Sequence, residues 1–334
     1  EGSTNENEKG MYMGFIAKSL KKFTLSAYYD QFTFPWLKFG INGPSKGYQY
    51  LAQLTYKPSK KLEMYVRIRE RDKLENTGVD LTEGIDYLSH QAALGSVPRS
   101  LKNPLATNNS NVDGFLNMIT AARENNVKKI VYASSSSVYG DSQKLPKIEA
   151  EIGNPLSPYA VSKYTNELYA RVSHLNYGQK IIGLRYFNIF GPSQSPDGAY
   201  AAVIPLFMEA LLKNQSPFIN GDGSQSRDFT YVENAVQANI RALFTENQDA
   251  FGEVFNVAVG ESFSLVELFE TIKKETKATA AVIHREERAG DVKNSLADIS
   301  KAKKMLDYQP QVKFQEGIGR TIEWFKSSKV TPNS

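Results

Sequence analysis

Three kinds of side chain occur with the types and spacing of a proton-transfer site. A run of serines, residues 134–137, follows a short apolar segment, and Tyr159 and Lys163 lie four residues apart just after Pro158. Because proline suits the first turn of a helix, Tyr159 and Lys163 should share one helical face. A nearby ammonium lowers the pKa of a phenol, which is otherwise near 10. The pattern predicts a tyrosine base beside a serine hydroxyl at a strand tip. The alternative is a polar strand end near an incidental helical pair.

The elements that must position these side chains alternate between strand and helix. Apolar runs predict strands at 129–134 and 181–185, and shorter strands at 217–220 and 253–257. Amphipathic periodicity predicts helices at 106–126, 158–176, 200–213, 264–276 and 314–326. This order favours right-handed crossovers and a parallel sheet, so we expect an α/β fold.

Composition excludes several classes of site. The 334 residues include no cysteine, so neither a disulfide framework nor a thiolate metal site is possible, and we predict no metal site. There is neither an apolar run long enough for a membrane helix nor a signal peptide, and a cytoplasmic location is expected. The net charge of +4 is concentrated in residues 1–78, which hold 13 Lys/Arg and 8 Asp/Glu. The remaining chain is nearly neutral, so no nucleic-acid partner is predicted.

Residues 1–78 have a different pattern from the rest of the chain. Residues 48–57 and 62–69 alternate between apolar and polar side chains on both sides of a short turn, which predicts a β-hairpin, and Phe23–Phe32 is another candidate strand. These aromatic-rich strands resemble pieces of an outer-membrane β-barrel. A soluble antiparallel sheet is the alternative, and membrane association is expected only in the barrel case.

The serine run followed by Tyr-x-x-x-Lys resembles the active site of the short-chain dehydrogenase/reductase superfamily. Five further segments resemble the UDP-N-acetylglucosamine 4-epimerases of bacteria: His90–Ser100, Leu184–Asn188, Asn220–Gly223, Arg227–Phe229 and Arg288–Asp291. The resemblance covers about residues 79–328, and it implies a further strand at 84–88, before His90. It implies a truncated, doubly wound, Rossmann-like parallel sheet in residues 79–191 and a smaller substrate domain in residues 192–334, interleaved with the last sheet strands. Residues 1–78 form a foreign β-rich segment in this interpretation.

The resemblance also assigns roles to individual residues. Ser135 matches the catalytic hydroxyl, Tyr159 the base and Lys163 the residue that lowers the tyrosine pKa and contacts the nicotinamide ribose. Cofactor-lining positions, in addition to Tyr159 and Lys163, are His90, Ala92 and Asn111. Substrate positions are Ser96, Ser136, Asn188, Arg227, Arg288, Asp291 and Ser295. The two arginines suit a diphosphate, because guanidinium pairs with phosphate oxygens bidentately.

The implied activity is NAD-dependent 4-epimerisation of UDP-N-acetylglucosamine or UDP-glucose through a transient 4-keto sugar, with a place in polysaccharide biosynthesis. The resemblance further implies a homodimer formed through the helices at 106–126 and 158–176. A nucleotide-sugar dehydratase or decarboxylase is the alternative enzyme. Dehydratases place an Asp-Glu pair after the catalytic hydroxyl, whereas Ser136 and Ser137 occupy that place here.

The glycine turn that should bind the dinucleotide is missing. Such enzymes begin with a strand, a Gly-x-x-Gly-x-x-Gly turn and a helix, whose backbone N–H groups approach the pyrophosphate. The nearest candidate, Gly40–Gly47, has one residue too many in its last interval and contains Pro44, and we interpret it as an ordinary turn. A non-catalytic chimera that cannot hold NAD is therefore the second hypothesis for the whole chain.

Overall fold

The computed structural model describes residues 9–20, 23–34, 45–59, 62–73, 85–196, 202–286 and 293–328. The chain divides into two compact units, Glu1–Glu83 and Gly84–Ser334. Within the described ranges, no helix is both long and apolar enough to cross a membrane.

One antiparallel sheet forms the N-terminal unit. Its strands, in spatial as well as chain order, are β1 (Lys9–Leu20), β2 (Phe23–Phe34), β3 (Ser45–Ser59) and β4 (Leu62–Lys73). The predicted hairpin is confirmed, because β3 and β4 pair antiparallel with Tyr56 opposite Met64. The predicted strand Phe23–Phe32 is β2, which pairs with both β1 and β3. The period-two alternation of the sequence thus identified real strands. Most of the candidate glycine turn, residues 40–44, lies outside the described residues.

Strands and helices alternate in the C-terminal unit. The described strands are β5 (Tyr87–His90), β6 (Lys129–Ser135), β7 (Ile181–Tyr186), β8 (Ile189–Phe190), β9 (Phe218–Asn220), β10 (Ser226–Arg227), β11 (Thr230–Tyr231), β12 (Val254–Val257), β13 (Phe263–Ser264) and β14 (Ile283–Arg285). The described helices are α1 (Val97–Lys102), α2 (Pro104–Asn108), α3 (Gly114–Glu124), α4 (Pro158–Tyr177), α5 (Val203–Leu212), α6 (Val232–Phe244), α7 (Leu265–Thr276), α8 (Ser300–Leu306) and α9 (Phe314–Ser328).

Most predicted elements lie within a few residues of their expected bounds, with two differences. The first predicted strand, 84–88, instead runs from Tyr87 to His90. The predicted helix at 106–126 is divided into α2 and α3 by a π-helical turn at Asn109–Asp113. Asn111 on this turn is buried and bonds to the loop after β5, so a tertiary contact favours the irregular turn over a regular helix.

The central sheet of this unit is parallel, with the order β12–β7–β6–β5. Alternate residues of β6 pack on opposite sides: Val131 belongs to the core with α6 and α8, whereas Ile130 and Tyr132 pack with α3 and α4. Helices therefore cover both faces, which explains why β6 is almost continuously apolar. The predicted Rossmann-like α/β fold is confirmed.

A second core lies among α5, α7 and α9. Phe314 at the start of α9 stacks on Phe263 with ring centroids 4.1 Å apart, and on Phe229 at 5.8 Å. Strand β12 comes late in the chain yet joins the parallel sheet beside β7. The C-terminal residues are thus interleaved with the sheet.

A buried ion pair joins α4 to the sheet. The Arg185 guanidinium of β7 donates to both carboxylate oxygens of Glu167 on α4, at 2.8 and 2.7 Å, and both side chains are at least 95% buried. Ser134 at the end of β6 donates to the same carboxylate at 2.5 Å, and Arg185 also donates to the Glu149 carbonyl at 2.9 Å. One charged network therefore holds two strands, one helix and one loop together.

We expect Glu167→Ala to lower the free energy of unfolding by about 3–5 kcal/mol, because it leaves a buried guanidinium without its counter-charge. Chemical denaturation of the purified chain measures this change. The matched control is Glu151→Gln, which breaks the exposed Lys144–Glu151 pair and should cost less than about 1 kcal/mol. Similar losses in the two variants would contradict the role assigned to the buried pair.

Candidate active site

The strand tip and the adjoining turn present the serine run. Ser135 is the last residue of β6, and its hydroxyl caps the following 3₁₀ turn by accepting the Ser137 N–H at 3.2 Å. Ser136 is half-buried on this turn, and the Ser137 hydroxyl is buried without a hydrogen-bond partner in the protein. The Ser135 side chain is thereby held at the carboxyl end of the parallel sheet, where open α/β sheets bind ligands.

Helix α4 presents the tyrosine and the lysine. Pro158 occupies its first turn, as predicted, and Ser157 caps the helix by accepting the Ala160 N–H at 3.1 Å. The Lys163 ammonium donates to the carbonyl of Ala133 on β6 at 2.8 Å and lies 6.0 Å from the centre of the Tyr159 ring. One lysine thus connects the tyrosine-bearing helix to the strand that ends in Ser135.

The three predicted catalytic side chains come together. Burial raises the pKa of Tyr159, and a hydrogen bond with the Ser135 hydroxyl opposes that rise. Burial lowers the pKa of Lys163 to about 8, and the carboxylate of Glu167 partly offsets this fall. The direction for Tyr159 differs from the expectation that Lys163 would lower its pKa. The physical reason is that desolvation of the buried phenolate is the largest effect on the pKa of Tyr159.

The predicted cofactor-lining residues lie around the end of β5. His90 is its last residue, with its ring 5.7 Å from that of Phe115, and burial followed by the charge of Lys163 lowers its pKa. Burial thus disfavours the charged form of the His90 ring. Ala92 is exposed in the loop that follows. Both residues lie at the carboxyl end of the parallel strands, as Lys163 does.

Asn111 has a positioning role. Its amide oxygen accepts the Leu94 N–H at 2.7 Å, and its amide nitrogen donates to the Ser162 hydroxyl at 3.0 Å and to the Leu94 carbonyl at 3.3 Å. Asn111 is 1% exposed, so its polar atoms are engaged within the protein. It joins the loop after β5 to α4, one residue before Lys163.

The predicted substrate residues are spread over three places. Ser96 caps α1 by accepting the Arg99 N–H at 3.2 Å, and Asn188 is exposed after β7 with a positive φ of 37°. Ser295 is 9% exposed, and its N–H donates to the Ser226 carbonyl at 3.1 Å.

Arg227, on β10, donates to the backbone carbonyls of Ser226 and Lys293 at 2.8 and 3.2 Å. These bonds place Arg227 beside the segment that leads to Ser295. Arg288 and Asp291 lie outside the described residues, so their assignments remain predictions.

Asp228 was not assigned a role from the sequence, although it lies inside the Arg227–Phe229 motif. It is fully buried, and its carboxylate accepts the N–H groups of Val259 and Gly260 at 3.0 Å and that of Ala297 at 3.3 Å. Burial raises its pKa to about 6 in spite of these donors. Asp228 therefore holds the segment that contains Ser295 against the loop after β12. The sequence signal that could have identified Asp228 is its position, as a charged residue between Arg227 and Phe229 of the motif.

The family comparison matches residues 46–258 to the NAD-dependent epimerase/dehydratase family. The chain belongs to this family. The match begins at residue 46, before the boundary at 79 that the motifs indicated. The comparisons lend no support to the resemblance of the N-terminal strands to outer-membrane proteins.

Three relatives illustrate the range of the family. The UDP-N-acetylglucosamine 4-epimerase of Methanobrevibacter ruminantium M1, solved in complex with UDP-N-acetylmuramic acid, is 43% identical, with a TM-score of 0.70 over 73% of this chain and 77% of its own. The UDP-glucuronic acid 4-epimerase of Bacillus cereus, solved with UDP-glucuronic acid and NAD, is 31% identical, with a TM-score of 0.68 over 74% and 77%. A UDP-N-acetyl-alpha-D-glucosaminuronate decarboxylase of Bacillus cytotoxicus is 30% identical over 75% of this chain and 80% of its own length.

NAD is the cofactor of this family, and the described residues fit one end of it. Tyr159, Lys163 and His90 converge at the carboxyl edge of the sheet, where they could hold a nicotinamide and its ribose. A pyrophosphate requires a glycine turn that opens a helix. Within the described residues, the parallel sheet ends at β5 and has no such turn beside it. The described residues therefore fit the reactive end of NAD, and the residues that would bind its pyrophosphate are not among them.

We expect Lys163→Met to raise the free energy of unfolding at pH 7 by about 1–3 kcal/mol, because it removes a buried charge that desolvation disfavours. Since the pKa of Lys163 is lowered from 10.5 to about 8 in the folded chain, the native protein gains stability as pH rises through this window. The advantage of the variant should therefore shrink between pH 8 and 10.5. Urea unfolding at a series of pH values measures it. An advantage equal to that of Lys144→Met, an exposed control, at every pH would contradict the assignment.

Proposed function

We propose that residues 84–334 carry the proton-transfer and substrate-binding groups of a UDP-sugar 4-epimerase. The observation that carries this proposal is the convergence of Ser135, Tyr159 and Lys163: the strand-tip hydroxyl bonds to the phenol, and the ammonium connects the helix to the same strand. These are the residues that a proton transfer at a sugar hydroxyl needs. The family and the two 4-epimerase relatives support the reaction class.

In the proposed mechanism, the Tyr159 oxygen takes the proton of the sugar 4-hydroxyl while the Ser135 hydroxyl hydrogen-bonds the same oxygen. The Lys163 ammonium stabilises the phenolate. General-base action of this kind typically contributes about 10²–10⁴-fold in rate. Bound NAD supplies the hydride acceptor for carbon 4 of the sugar. The sugar would pass through a transient 4-keto form that turns over in the site and takes the same hydride back on the other face of carbon 4, while Tyr159 returns the proton to the sugar oxygen.

A second group of residues, separate from the proton-transfer groups, is proposed to recognise the substrate. Arg227 and Arg288 would bind the diphosphate, with Asp291 near the uridine ribose. The remaining proposed substrate contacts come from Ser96, Ser136, Asn188 and Ser295. Support for Arg227 comes from its position on β10, where its guanidinium is fixed on two backbone carbonyls beside the Ser295 segment.

A decarboxylase is the second candidate reaction, favoured by the relative from Bacillus cytotoxicus. The serines that follow Ser135 argue against a dehydratase, since they offer no carboxylate at the place where that chemistry needs one. Incubation with UDP-glucuronic acid and with UDP-N-acetylglucosamine, followed by product separation, distinguishes loss of carbon dioxide from inversion at carbon 4.

A homodimer through α4 is part of the proposal. Leu168, Val172 and Leu175 are each at least half exposed and lie on one face of this helix, at spacings of four and three residues. Such a row of apolar side chains on a helix is typical of a helix–helix interface. A second copy of the chain is the proposed occupant.

We expect Tyr159→Phe to lower 4-epimerisation by about 10²-fold or more while leaving nucleotide-sugar affinity within a few-fold, because the phenol transfers a proton and does not bind the diphosphate. The measurement uses a fusion in which the N-terminal cofactor half of the Methanobrevibacter ruminantium enzyme replaces residues 1–84. Tyr169→Phe, on the exposed side of the same helix, is the matched control and should retain activity. An active Tyr159→Phe fusion would refute the proposed role.

Ser295→Tyr tests the proposed preference for N-acetylated sugars. In this proposal Ser295 lies beside the sugar carbon 2 substituent, and a bulky ring there should exclude the N-acetyl group. Overpacking typically costs about 1–3 kcal/mol, which corresponds to roughly 5- to 150-fold in kcat/KM. The fusion should therefore lose kcat/KM for UDP-N-acetylglucosamine relative to UDP-glucose, whereas the exposed control Ser300→Tyr should not. An unchanged ratio would remove Ser295 from the pocket.

A further inference from the structure

A buried carboxylate follows Arg227 in the chain, and the proposed mechanism does not use it. Asp228 is 0% exposed. One of its oxygens accepts the Val259 N–H at 3.0 Å, and the other accepts the Gly260 N–H at 3.0 Å and the Ala297 N–H at 3.3 Å. An ionised carboxylate accepts on both oxygens, whereas a carboxylic acid or an amide carries hydrogen on one side. Three donors on two oxygens therefore match the charged form of Asp228.

The N–H donors belong to two chain segments that also bond to each other and to β10. The Ser295 N–H donates to the Ser226 carbonyl on β10 at 3.1 Å. The Ser262 hydroxyl, in the loop after β12, donates to the Ser295 carbonyl at 3.1 Å. Asp228 thus lies where three segments meet. We call these segments together the Asp228 junction; they are residues 226–228, 259–262 and 293–297.

Two groups of the proposed substrate site belong to the Asp228 junction. The Arg227 guanidinium donates to the Lys293 carbonyl at 3.2 Å, and Lys293 is in the segment that Asp228 holds through Ala297. Ser295 lies between Lys293 and Ala297 in the same segment. A shift of this segment would therefore move the partner of Arg227 and the position of Ser295 together. One buried carboxylate can thus act on both groups at once.

Charge is the property of Asp228 that the solution pH can change. Its charged and titratable neighbours among the described residues are Arg227, Glu261, which pairs with Lys313, and Tyr308. Burial raises the pKa of Asp228 to about 6, the Glu261 carboxylate adds to this rise, and the three backbone N–H donors oppose it. The side chain is therefore charged at pH 7 and takes up a proton as the pH falls through about 6. Protonation places a hydrogen on an oxygen that faces N–H donors.

We propose that Asp228 is a positioning residue for nucleotide-sugar binding, and that its charged carboxylate holds Arg227 and Ser295 in the arrangement that accepts the diphosphate and the sugar. It acts through the backbone N–H groups of the Asp228 junction, without touching the substrate. The inference rests on the proposed function, because Arg227 and Ser295 are substrate groups in that proposal alone.

Calorimetric titration of the full 334-residue chain with UDP-N-acetylglucosamine tests the proposal. We expect Asp228→Asn to weaken binding at pH 7 by about tenfold or more, because an acceptor oxygen becomes an N–H donor that faces backbone N–H groups. The matched control is Asp298→Asn, since the Asp298 carboxylate accepts the Ser300 N–H at 2.7 Å, away from the Asp228 junction. Its affinity should stay within about twofold of the wild-type value.

A second variant keeps the test decisive if Asp228→Asn does not fold, which circular dichroism establishes. Ser262→Ala removes the bond between Ser262 and the Ser295 carbonyl and leaves every buried charge in place. It should weaken binding by about two- to tenfold, the effect of one neutral hydrogen bond. An unchanged affinity in this variant would mean that the position of the Ser295 segment does not matter for binding, which contradicts the proposal.

The pH profile of binding separates positioning from a purely structural role. Affinity of the wild-type chain should fall by about tenfold between pH 7 and pH 5, because Asp228 takes up a proton in this range. The diphosphate of the ligand keeps its charge over the same range. In Asp228→Asn the affinity should be low and independent of this proton. A structural carboxylate would alter the free energy of unfolding and leave the profile of the folded chain unchanged.

Three further results would overturn the proposal: equal affinities of the wild-type chain and Asp228→Asn, a wild-type affinity that does not fall between pH 7 and pH 5, and a pH dependence that persists in Asp228→Asn. The two proposals fail in different ways. A wild-type chain that does not bind UDP-N-acetylglucosamine would refute the proposed function and this inference with it. Binding that is insensitive to Asp228 would refute the inference alone.

Discussion

The pairing of Arg185 with Glu167 is the constraint on which the candidate site depends. Both charges are removed from water, and the desolvation cost of such a pair can cancel its Coulombic attraction. Its main effect is therefore geometric. Two donors of the guanidinium engage two oxygens of the carboxylate, which fixes α4 in both position and rotation against β7. Lys163 lies one turn from Glu167 on this helix, and Tyr159 lies a further turn away. The ion pair therefore also fixes where these two side chains lie.

The same burial sets the electrostatics of the site. Lys163 has a pKa lowered to about 8 and Tyr159 has a raised pKa, because a low dielectric disfavours the ammonium as well as the phenolate. Burial thus disfavours the charged form of each side chain, at some expense in stability, although Lys163 still carries its proton at pH 7. Perturbed groups that lie together at a sheet edge are typical of active sites. Asp228 is a buried carboxylate with a structural role, because it accepts three backbone N–H groups from two separate segments of the chain.

Among the described strands of the parallel sheet, β5 lies at one end of the strand order. A doubly wound sheet binds a dinucleotide across its two halves, and in the proposed function the groups that meet the substrate come from the C-terminal unit. Asn239 on α6 bonds to Gln91, just after β5, and to Tyr186 at the end of β7. These hydrogen bonds hold the end of β5 in place. The antiparallel sheet of residues 9–73 follows different pairing rules and has no βαβ crossover.

Local sequence determined much of this protein. The apolar run at 129–132 was enough to predict β6, and Pro158 with the periodicity that follows it was enough to predict α4, because these signals are local in the sequence. The spacing of Tyr159 and Lys163 likewise predicted a shared face, and the alternation in residues 48–69 predicted the hairpin of β3 and β4. The motifs placed the chain within its family without reference to the tertiary contacts.

Tertiary structure decided the rest, because desolvation and long-range hydrogen bonds depend on residues far apart in the chain. The direction of the Tyr159 pKa follows from how deeply α4 is buried, which no local pattern specifies. Asn111 interrupts a helix because its partners are Leu94 and Ser162, and Asp228 gains its partners from segments 31 and 69 residues away. Whether β5 is an interior or an edge strand is likewise a property of the assembled sheet, since a strand's own residues do not determine how many neighbours it has.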